Sequence, residues 1–438
     1  MTRNRKSRNG DRRRNRTRNR TRIGAVGAAT MLAVSVCGVA PAVAASGGGR
    51  TSLADDSQCT TKAQGVTVAT DQTATPWEVS YANTQPSGLT GKGVTVAVID
   101  SGIAGSDSQL SKRVVGGQDF TDGGDFKKDV DGHGSMVASI IGAQPSSRNG
   151  MTGIAPGANL LIYREAGCNV GGAANQEGTL ATAINTAVAA GARIINISQA
   201  GYDANNDLKA AVVNAYQKNV LIVAAAGNYG DSAPQGNTNY GVNPVTYPAA
   251  YAPYLLAVGA STQDGVTADF SETGAYIGVT APGFAVGGLF PDGKVWYDNG
   301  TSFAAPYVAA VAALLLQEHS NWSVGTLIRV LEATADGNGK WDKLAGWGVV
   351  NANAALQANP DQLVGLFGAG PNADGPAAAK PVEHGTSMQP IVNAAPAQTV
   401  VDQRKGAYMA LGSAILIVVV ALAGTLIARD ARRRRMPL

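Results

Sequence analysis

The chain has 438 residues, of which 45% are hydrophobic and 15% are charged, so it is long enough to enclose a large core with further segments attached. Its formal charge of +4 is unevenly distributed, because residues 1–22 carry +10 and residues 429–438 carry +4, which leaves about −10 for the residues between them. This acidic central region excludes a basic surface for nucleic acid, so nucleic acid is not an expected partner.

Residues 1–45 have the organisation of a secretory signal peptide. Basic residues at the start precede an apolar stretch at 23–45, in which Ala42-Val43-Ala44 matches an A-x-A cleavage site. An uncleaved anchor is the alternative interpretation. The arginines at 12–14 invite assignment as a twin-arginine signal, but no such motif follows them closely.

The chain has three cysteines, and Cys37 lies inside the signal. The remaining pair, Cys59 and Cys168, is an even number in a chain that we expect to be exported, so the sequence predicts a disulfide between them. Two free thiols are the alternative.

Residues 91–357 alternate strand-like and helix-like segments and predict one compact domain. Short, almost continuously apolar runs indicate strands that are buried on both faces of a parallel sheet: GVTVAVID, ANLLIYREA, ARIINISQA, VLIVAAAGN and LLAVGAS. Between them, QEGTLATAINTAVAAGA and NDLKAAVVNAYQKN have apolar residues at helical spacing. The alternation predicts an α/β sandwich with its site beyond the carboxyl ends of the strands.

Two residues near the start of this domain could act on a nucleophile. Asp100 directly follows VTVAVI, at the end of the first core strand, although a helix N-cap at the surface is the alternative. His133 lies in DGHGSMVASIIGA, where the apolar run predicts that it begins a helix. Because His319 ends another helix and His384 lies in a linker, His133 is the only suitable base.

The segment between these two residues is acidic. It contains Asp119, Asp122, Asp125, Asp129 and Asp131, but their spacing fits no EF-hand loop. We therefore expect a solvated loop with Asx turns rather than a calcium site, and we expect no cofactor.

The run VLIVAAAGN, residues 220–228, indicates a strand with room for a substrate at its end. Ala225, Ala226 and Gly227 are small, and the Asn228 amide could donate to a developing oxyanion. A simple turn at Asn228 is the alternative.

Ser302 lies in NGTSFAAP, directly before an alanine-rich helical run. A helix cap is one interpretation, since Ser and Thr are good N-cap residues. A nucleophile is the other, because His133 and Asp100 supply the base and the orienting carboxylate that a hydroxyl needs.

The C-terminal segments predict attachment to a membrane. Residues 358–406 are rich in Pro, Ala and Gly and indicate an extended linker. The uncharged stretch 407–428 could span a bilayer as a helix of about 33 Å, with a buried core helix as the alternative. Five arginines at 429–438 predict a cytoplasmic tail, so the remainder of the protein faces outward.

The motifs together resemble those of the subtilisin-like serine proteases, or subtilases. They are DSG at 100–102, GHGSMVA at 132–138, AAGN at 225–228 and GTSFAAP at 300–306, in the subtilisin order Asp, His, Ser. The resemblance covers residues 91–357 and implies a subtilisin-like three-layer sandwich with a mostly parallel central sheet. It also implies a catalytic triad of Asp100, His133 and Ser302, with Asn228 in the oxyanion hole.

The chain departs from the subtilase pattern at three places. Ser198-Gln199-Ala200-Gly201 stands where subtilases have a Ser-Leu-Gly-Gly strand that pairs with substrate, and the polar Gln199 suggests narrow selectivity. Ser135 replaces the usual threonine after His-Gly. Residues 46–90 are short for an independently folding propeptide. We expect this N-terminal extension to stay attached and wrap the domain.

A subtilase with a signal, a linker, one membrane span and a basic tail resembles the mycosins, proteases associated with type VII secretion in actinobacteria. The resemblance implies protein or peptide substrates, a place in the cell membrane and association with a type VII secretion complex. Two functions follow from it: a selective endopeptidase, or a structural subunit of that complex in which catalysis is dispensable.

Overall fold

The structure is a computed structural model that describes residues 67–68, 88–105, 108–121, 124–165, 177–234 and 240–363. All of these belong to one compact unit. The predicted signal, Cys59, Cys168, the membrane span at 407–428 and the basic tail lie outside the described residues, as do most of the N-terminal extension and of the linker.

Within the described residues, ten strands form two sheets. They are β1 (Thr67–Val68), β2 (Thr95–Asp100), β3 (Val114–Asp119), β4 (Asn159–Arg164), β5 (Ile194–Ile197), β6 (Leu221–Ala225), β7 (Leu256–Ser261), β8 (Ile277–Pro282), β9 (Val286–Leu289) and β10 (Val295–Asp298). The central sheet has the order β3-β4-β2-β5-β6-β7-β8, and every neighbouring pair in it is parallel. The predicted α/β fold with a mostly parallel sheet is confirmed.

Seven α-helices and two 3₁₀ turns accompany the sheets in the described residues. The helices are α1 (Ser108–Ser111), α2 (His133–Gly142), α3 (Glu177–Ala189), α4 (Asn206–Gln217), α5 (Thr301–Glu318), α6 (Val324–Ala333) and α7 (Ala352–Gln357). The 3₁₀ turns are Ala249–Tyr251 and Pro360–Gln362.

Helices cover both faces of the central sheet, because the side chains of each strand alternate between two cores. In β2, Val96 and Val98 pack in the core that contains helices α2, α5 and α6. Ala97 and Ile99 pack on the opposite face, in the core that contains α3 and α4. Strands buried on both faces account for the continuous apolar runs of the sequence.

Helix α5 crosses the centre of the first core. Residues 301–316 are all buried, and its many alanines allow close packing. Among the described residues it is the one helix that is long and apolar enough to cross a membrane, but 89% of its length is buried inside the domain. It is therefore a core helix.

A second, antiparallel sheet has the order β1-β10-β9. Thr67 pairs with Tyr297 and Val68 pairs with Trp296. Two residues of the N-terminal extension therefore bind the strand that leads into α5.

Candidate active site

The predicted catalytic residues come from four elements that end at one edge of the central sheet. Asp100 is the last residue of β2, and His133 is the first residue of α2. Asn228 follows the end of β6, and Ser302 is the second residue of α5. This is the edge at which open parallel sheets bind ligands.

Asp100 and His133 are in direct contact. His133 Nδ1 lies 2.7 Å from Asp100 Oδ1, and the side chains are 16% and 1% exposed. The Ser101 backbone N–H donates to the same carboxylate oxygen over 2.8 Å. The imidazole also packs on Phe303, the neighbour of Ser302, with ring centroids 5.3 Å apart. The ring is thus held between β2 and α5.

The surroundings of His133 favour its cation. Burial lowers its pKa, but the charge and hydrogen bond of Asp100, together with the charges of Asp131 and Asp298, raise the pKa from 6.5 to about 9. An imidazolium formed at this position would therefore be stabilised by its surroundings.

A buried carboxylate fixes the loop between these residues. Asp129 is 8% exposed and accepts hydrogen bonds from Ser101 Oγ, from Gly132 N–H and from both the N–H and the Oγ of Ser135. Ser135 Oγ in turn accepts from Ala104 N–H over 2.9 Å. The serine that replaces the usual threonine thus keeps the hydroxyl contacts that tie α2 to the end of β2.

Ser302 does not cap its helix. The N-cap residue is Gly300, with no side-chain capping bond. The Ser302 carbonyl would normally accept from residue 306, but Pro306 has no N–H. Ser198 Oγ donates to that carbonyl instead, over 2.7 Å. Ser302 is 7% exposed, at the start of a rigid helix.

The Asn228 side chain is oriented by Thr301. Its Oδ1 accepts from Thr301 N–H over 2.9 Å and from Thr301 Oγ over 3.0 Å. The Nδ2 donor is therefore free to face Gly300, where an added Cβ would lie 2.7 Å from Ser302 Oγ and 3.5 Å from Asn228 Nδ2. The Asn228 amide nitrogen and the Ser302 hydroxyl thus lie on either side of the same backbone position, Gly300.

The two predicted substrate-binding segments follow β5 and β6. Strand β5 ends at Ile197, before Ser198, so the run ARIINISQA forms a shorter strand than the sequence suggests. Gly201 forms an isolated bridge with Tyr247. On the other side Ala225, Ala226 and Gly227 are buried.

Gln199 pairs with a buried acid. Its Nε2 donates to Glu165 Oε2 over 2.6 Å, and Glu165 is 3% exposed. Burial raises the pKa of Glu165 to about 7, with the Gln199 bond opposing the rise and the charge of Asp100 adding to it. The predicted substrate-binding segment thus carries a polar pair where subtilases have an apolar leucine.

The acidic segment is only partly the solvated loop that the sequence predicts. Asx turns form at Asp119 and Asp125, as expected. Asp129, however, is buried in its hydrogen-bond network, and Asp119 also pairs with the buried Arg164 over 3.2 Å. The expectation of a wholly solvated loop is wrong for these two residues, because each satisfies groups from other elements. No group of three or more possible metal-ligating side chains occurs within the described ranges.

The sequence motifs did not point to several residues of the site. Thr301 orients the Asn228 side chain, and Asp129 fixes the loop before His133. Glu165 bonds Gln199, and Glu272 bonds the backbone N–H of Tyr229 beside Asn228; both are buried acids in unremarkable sequence. The position of Thr301 beside Ser302 is a signal that could have drawn attention to it. The two glutamates have no such signal, because only the fold brings them to the site.

The comparisons with known proteins identify a subtilisin-like serine endopeptidase. Residues 91–348 match the Subtilase family, peptidase S8. The chain belongs to the subtilase family, as its motifs predict.

Two relatives and one solved structure refine the comparison. M-protease of Shouchella clausii is 35% identical over 308 residues, which cover 70% of this chain and 73% of that protein. Mycosin-1 of Mycolicibacterium smegmatis is 34% identical over 329 residues, covering 64% and 72%. The MycP3 protease from the type VII (ESX-3) secretion system is 31% identical, with a TM-score of 0.58, covering 68% of this chain and 93% of that one. The resemblance to mycosins is confirmed.

Proposed function

We propose that this subtilase is a membrane-anchored, selective endopeptidase that works beside a type VII secretion system. Asp100, His133 and Ser302 form its catalytic triad. The observation that carries the assignment is the 2.7 Å contact of His133 Nδ1 with the buried Asp100, at the sheet edge where Ser302 and Asn228 meet.

In the proposed mechanism, Ser302 Oγ attacks the scissile carbonyl and its proton passes to His133 Nε2. Asp100 accepts the Nδ1 proton in its hydrogen bond, which selects the productive tautomer and stabilises the cation. Asn228 Nδ2 and the Ser302 N–H donate to the oxyanion. His133 then protonates the leaving amine, and water hydrolyses the acyl-enzyme with His133 again as base.

Selectivity is supported by the substrate edge. Ser198–Gly201 and Ala225–Gly227 form the two sides of the proposed groove, and the Gln199–Glu165 pair makes one side polar. An apolar substrate side chain placed there would cover the half-buried Gln199 amide and remove its remaining polar surface from water, which costs free energy. The enzyme therefore discriminates more than a subtilase with an apolar edge does.

Membrane attachment follows from the segments after the domain. Residues 358–406 are the linker, 407–428 the span and 429–438 the cytoplasmic tail, while the domain at 91–357 faces outward with the extension at 46–90 attached. Association with secretion is inferred from the similarity to Mycosin-1 and to the MycP3 protease.

A fluorophosphonate tests the catalytic assignment on the full-length protein. In the expected reaction, the Ser302 Oγ–P bond forms, the P–F bond breaks with loss of fluoride, and the serine proton passes to His133. We expect one adduct by intact mass, absent from Ser302→Ala. No adduct on folded protein contradicts the triad.

Genetic rescue separates the protease from the structural subunit. We expect a deletion strain expressing Ser302→Ala to fail to process exported proteins. If the protein is also a structural subunit, the secretion complex is lost in the deletion strain and restored by Ser302→Ala, whereas an intact complex in the deletion strain excludes the subunit role. Loss of complex in the deletion strain, with full restoration of secretion by Ser302→Ala, would contradict a catalytic role in secretion.

A further inference from the structure

Glu272 is a buried acid that lies against the segment carrying Asn228. Its side chain is fully buried. Its backbone N–H donates to the Gly227 carbonyl over 3.0 Å, and its Oε1 accepts from the Tyr229 N–H over 3.2 Å. The two bonds hold the residues on either side of Asn228.

The second carboxyl oxygen of Glu272 makes close contact with the same segment. Oε2 accepts no hydrogen bond from any residue that the structure describes, and a Cβ added to Gly227 would lie 2.3 Å from it. Gly227 also has φ +109°, a conformation that favours glycine. A buried oxygen without a hydrogen bond costs free energy, so an apolar side chain would fill this space more stably. Because the carboxyl group is kept despite this cost, Glu272 differs from a residue that only fills the core.

We propose that Glu272 is a positioning residue that fixes the backbone of residues 227–229, so that the Asn228 amide faces the oxyanion. This inference rests on the catalytic assignment made above. Thr301 holds the amide oxygen of Asn228 from the side of α5, and Glu272 holds the backbone from the opposite side. A displacement of about 1 Å at such a donor can cost about 100-fold in rate.

The charge of Glu272 bears on this role. Burial raises its pKa to about 8, although the hydrogen bond from the Tyr229 N–H opposes the rise. The other titratable groups that sense its charge are Tyr202 and Tyr276, so no basic group of the described chain balances a carboxylate there. Near pH 7 the acid is neutral, and its ionisation at higher pH places an unpaired charge beside Gly227.

A double-mutant cycle on the full-length protein tests whether Glu272 acts through Asn228. The measured quantities are the maximal rate of Ser302 labelling by a fluorophosphonate and the probe concentration that gives half of that rate. We expect Glu272→Ala to lower the maximal rate at least 10-fold in the wild-type background but less than twofold in Asn228→Ala, with half-saturation unchanged in both.

The outcomes separate this inference from the catalytic assignment. Equal losses in both backgrounds overturn the positioning role alone, since a general structural defect would not depend on Asn228. An absence of any Ser302 adduct in the wild-type protein overturns the triad, and the positioning role with it.

Glu272→Gln gives a second measurement that does not depend on a large deletion in the core. Glutamine keeps the Oε1 acceptor but cannot ionise, so the ratio of wild-type to Glu272→Gln labelling rates should fall as pH rises through about 8. Taking the ratio removes the contribution of His133. Glu332, buried at 3% exposure in α6, supplies the matched control Glu332→Gln, whose ratio should stay constant. A constant ratio for Glu272→Gln would overturn the proposal.

Discussion

Replacing Asp100 with asparagine tests how this fold activates its proposed nucleophile. The change keeps the shape of the side chain but removes the charge that lies 2.7 Å from His133 Nδ1. Asparagine can also present an N–H to that nitrogen, which favours the wrong tautomer of the imidazole.

The structure sets the expected size of the effect. The difference between a pKa of 6.5 and one of about 9 corresponds to about 3 kcal/mol in favour of the His133 cation. Asp100 provides most of this stabilisation against the opposing effect of burial, while Asp131 and Asp298 provide the rest. Without Asp100, the pKa of His133 should fall to or below 6.5. At pH values above the His133 pKa, the rate of Ser302 labelling should fall on the order of 10⁴-fold relative to wild type.

The assay is the rate of fluorophosphonate labelling of the full-length protein between pH 5 and pH 10. Because the base must be neutral, the wild-type rate should rise with pH through the His133 pKa, and the rise should move to lower pH in Asp100→Asn. Asp298→Asn is the matched control, with a smaller shift in the same direction and little loss of maximal rate. If the labelling rate of Asp100→Asn rises at the same pH as that of wild type, the reasoning is refuted.

Four further outcomes can be measured. Asn228→Ala should lower the maximal labelling rate about 100- to 1,000-fold, the loss known for the oxyanion donor of subtilisin, with unchanged half-saturation; a loss under threefold would contradict the oxyanion role. Asp129→Asn should lower the free energy of unfolding in urea by about 1–3 kcal/mol, because the NH₂ group of the new asparagine cannot accept the hydrogen bonds that Ser135 donates to Asp129. Unchanged stability would show that this hydrogen-bond network contributes little. Between pH 5 and pH 8, folded wild-type protein keeps the Glu272 proton that the unfolded chain has lost, so its stability falls as the pH rises. The free energy of unfolding of Glu272→Gln should therefore increase relative to that of wild type by about 1.4 kcal/mol per pH unit. Parallel curves of unfolding free energy against pH would exclude the raised pKa. Cys59→Ser should make residues 46–90 more sensitive to added protease at neutral pH. If the variant gives the same digestion pattern as wild type, the predicted disulfide is contradicted.

The sequence by itself determined the fold class and the family. Strands buried on both faces of a sheet must be apolar at every position, so β2 and β6 are legible as short β-branched or alanine-rich runs. The motifs around Asp100, His133 and Ser302 are also local, because each residue lies at the end or start of the element that carries it.

Other features were decided only by the tertiary structure. Glu272 and Gly227 are 45 positions apart, and Thr301 and Asn228 are 73 apart, so no local pattern joins them. The burial of Asp129 is likewise invisible in an acidic loop, because its donors come from Ser101, Gly132 and Ser135 after folding. Whether a polar residue lies in water or supports a reacting group depends on contacts between distant segments, which only the packed chain brings together.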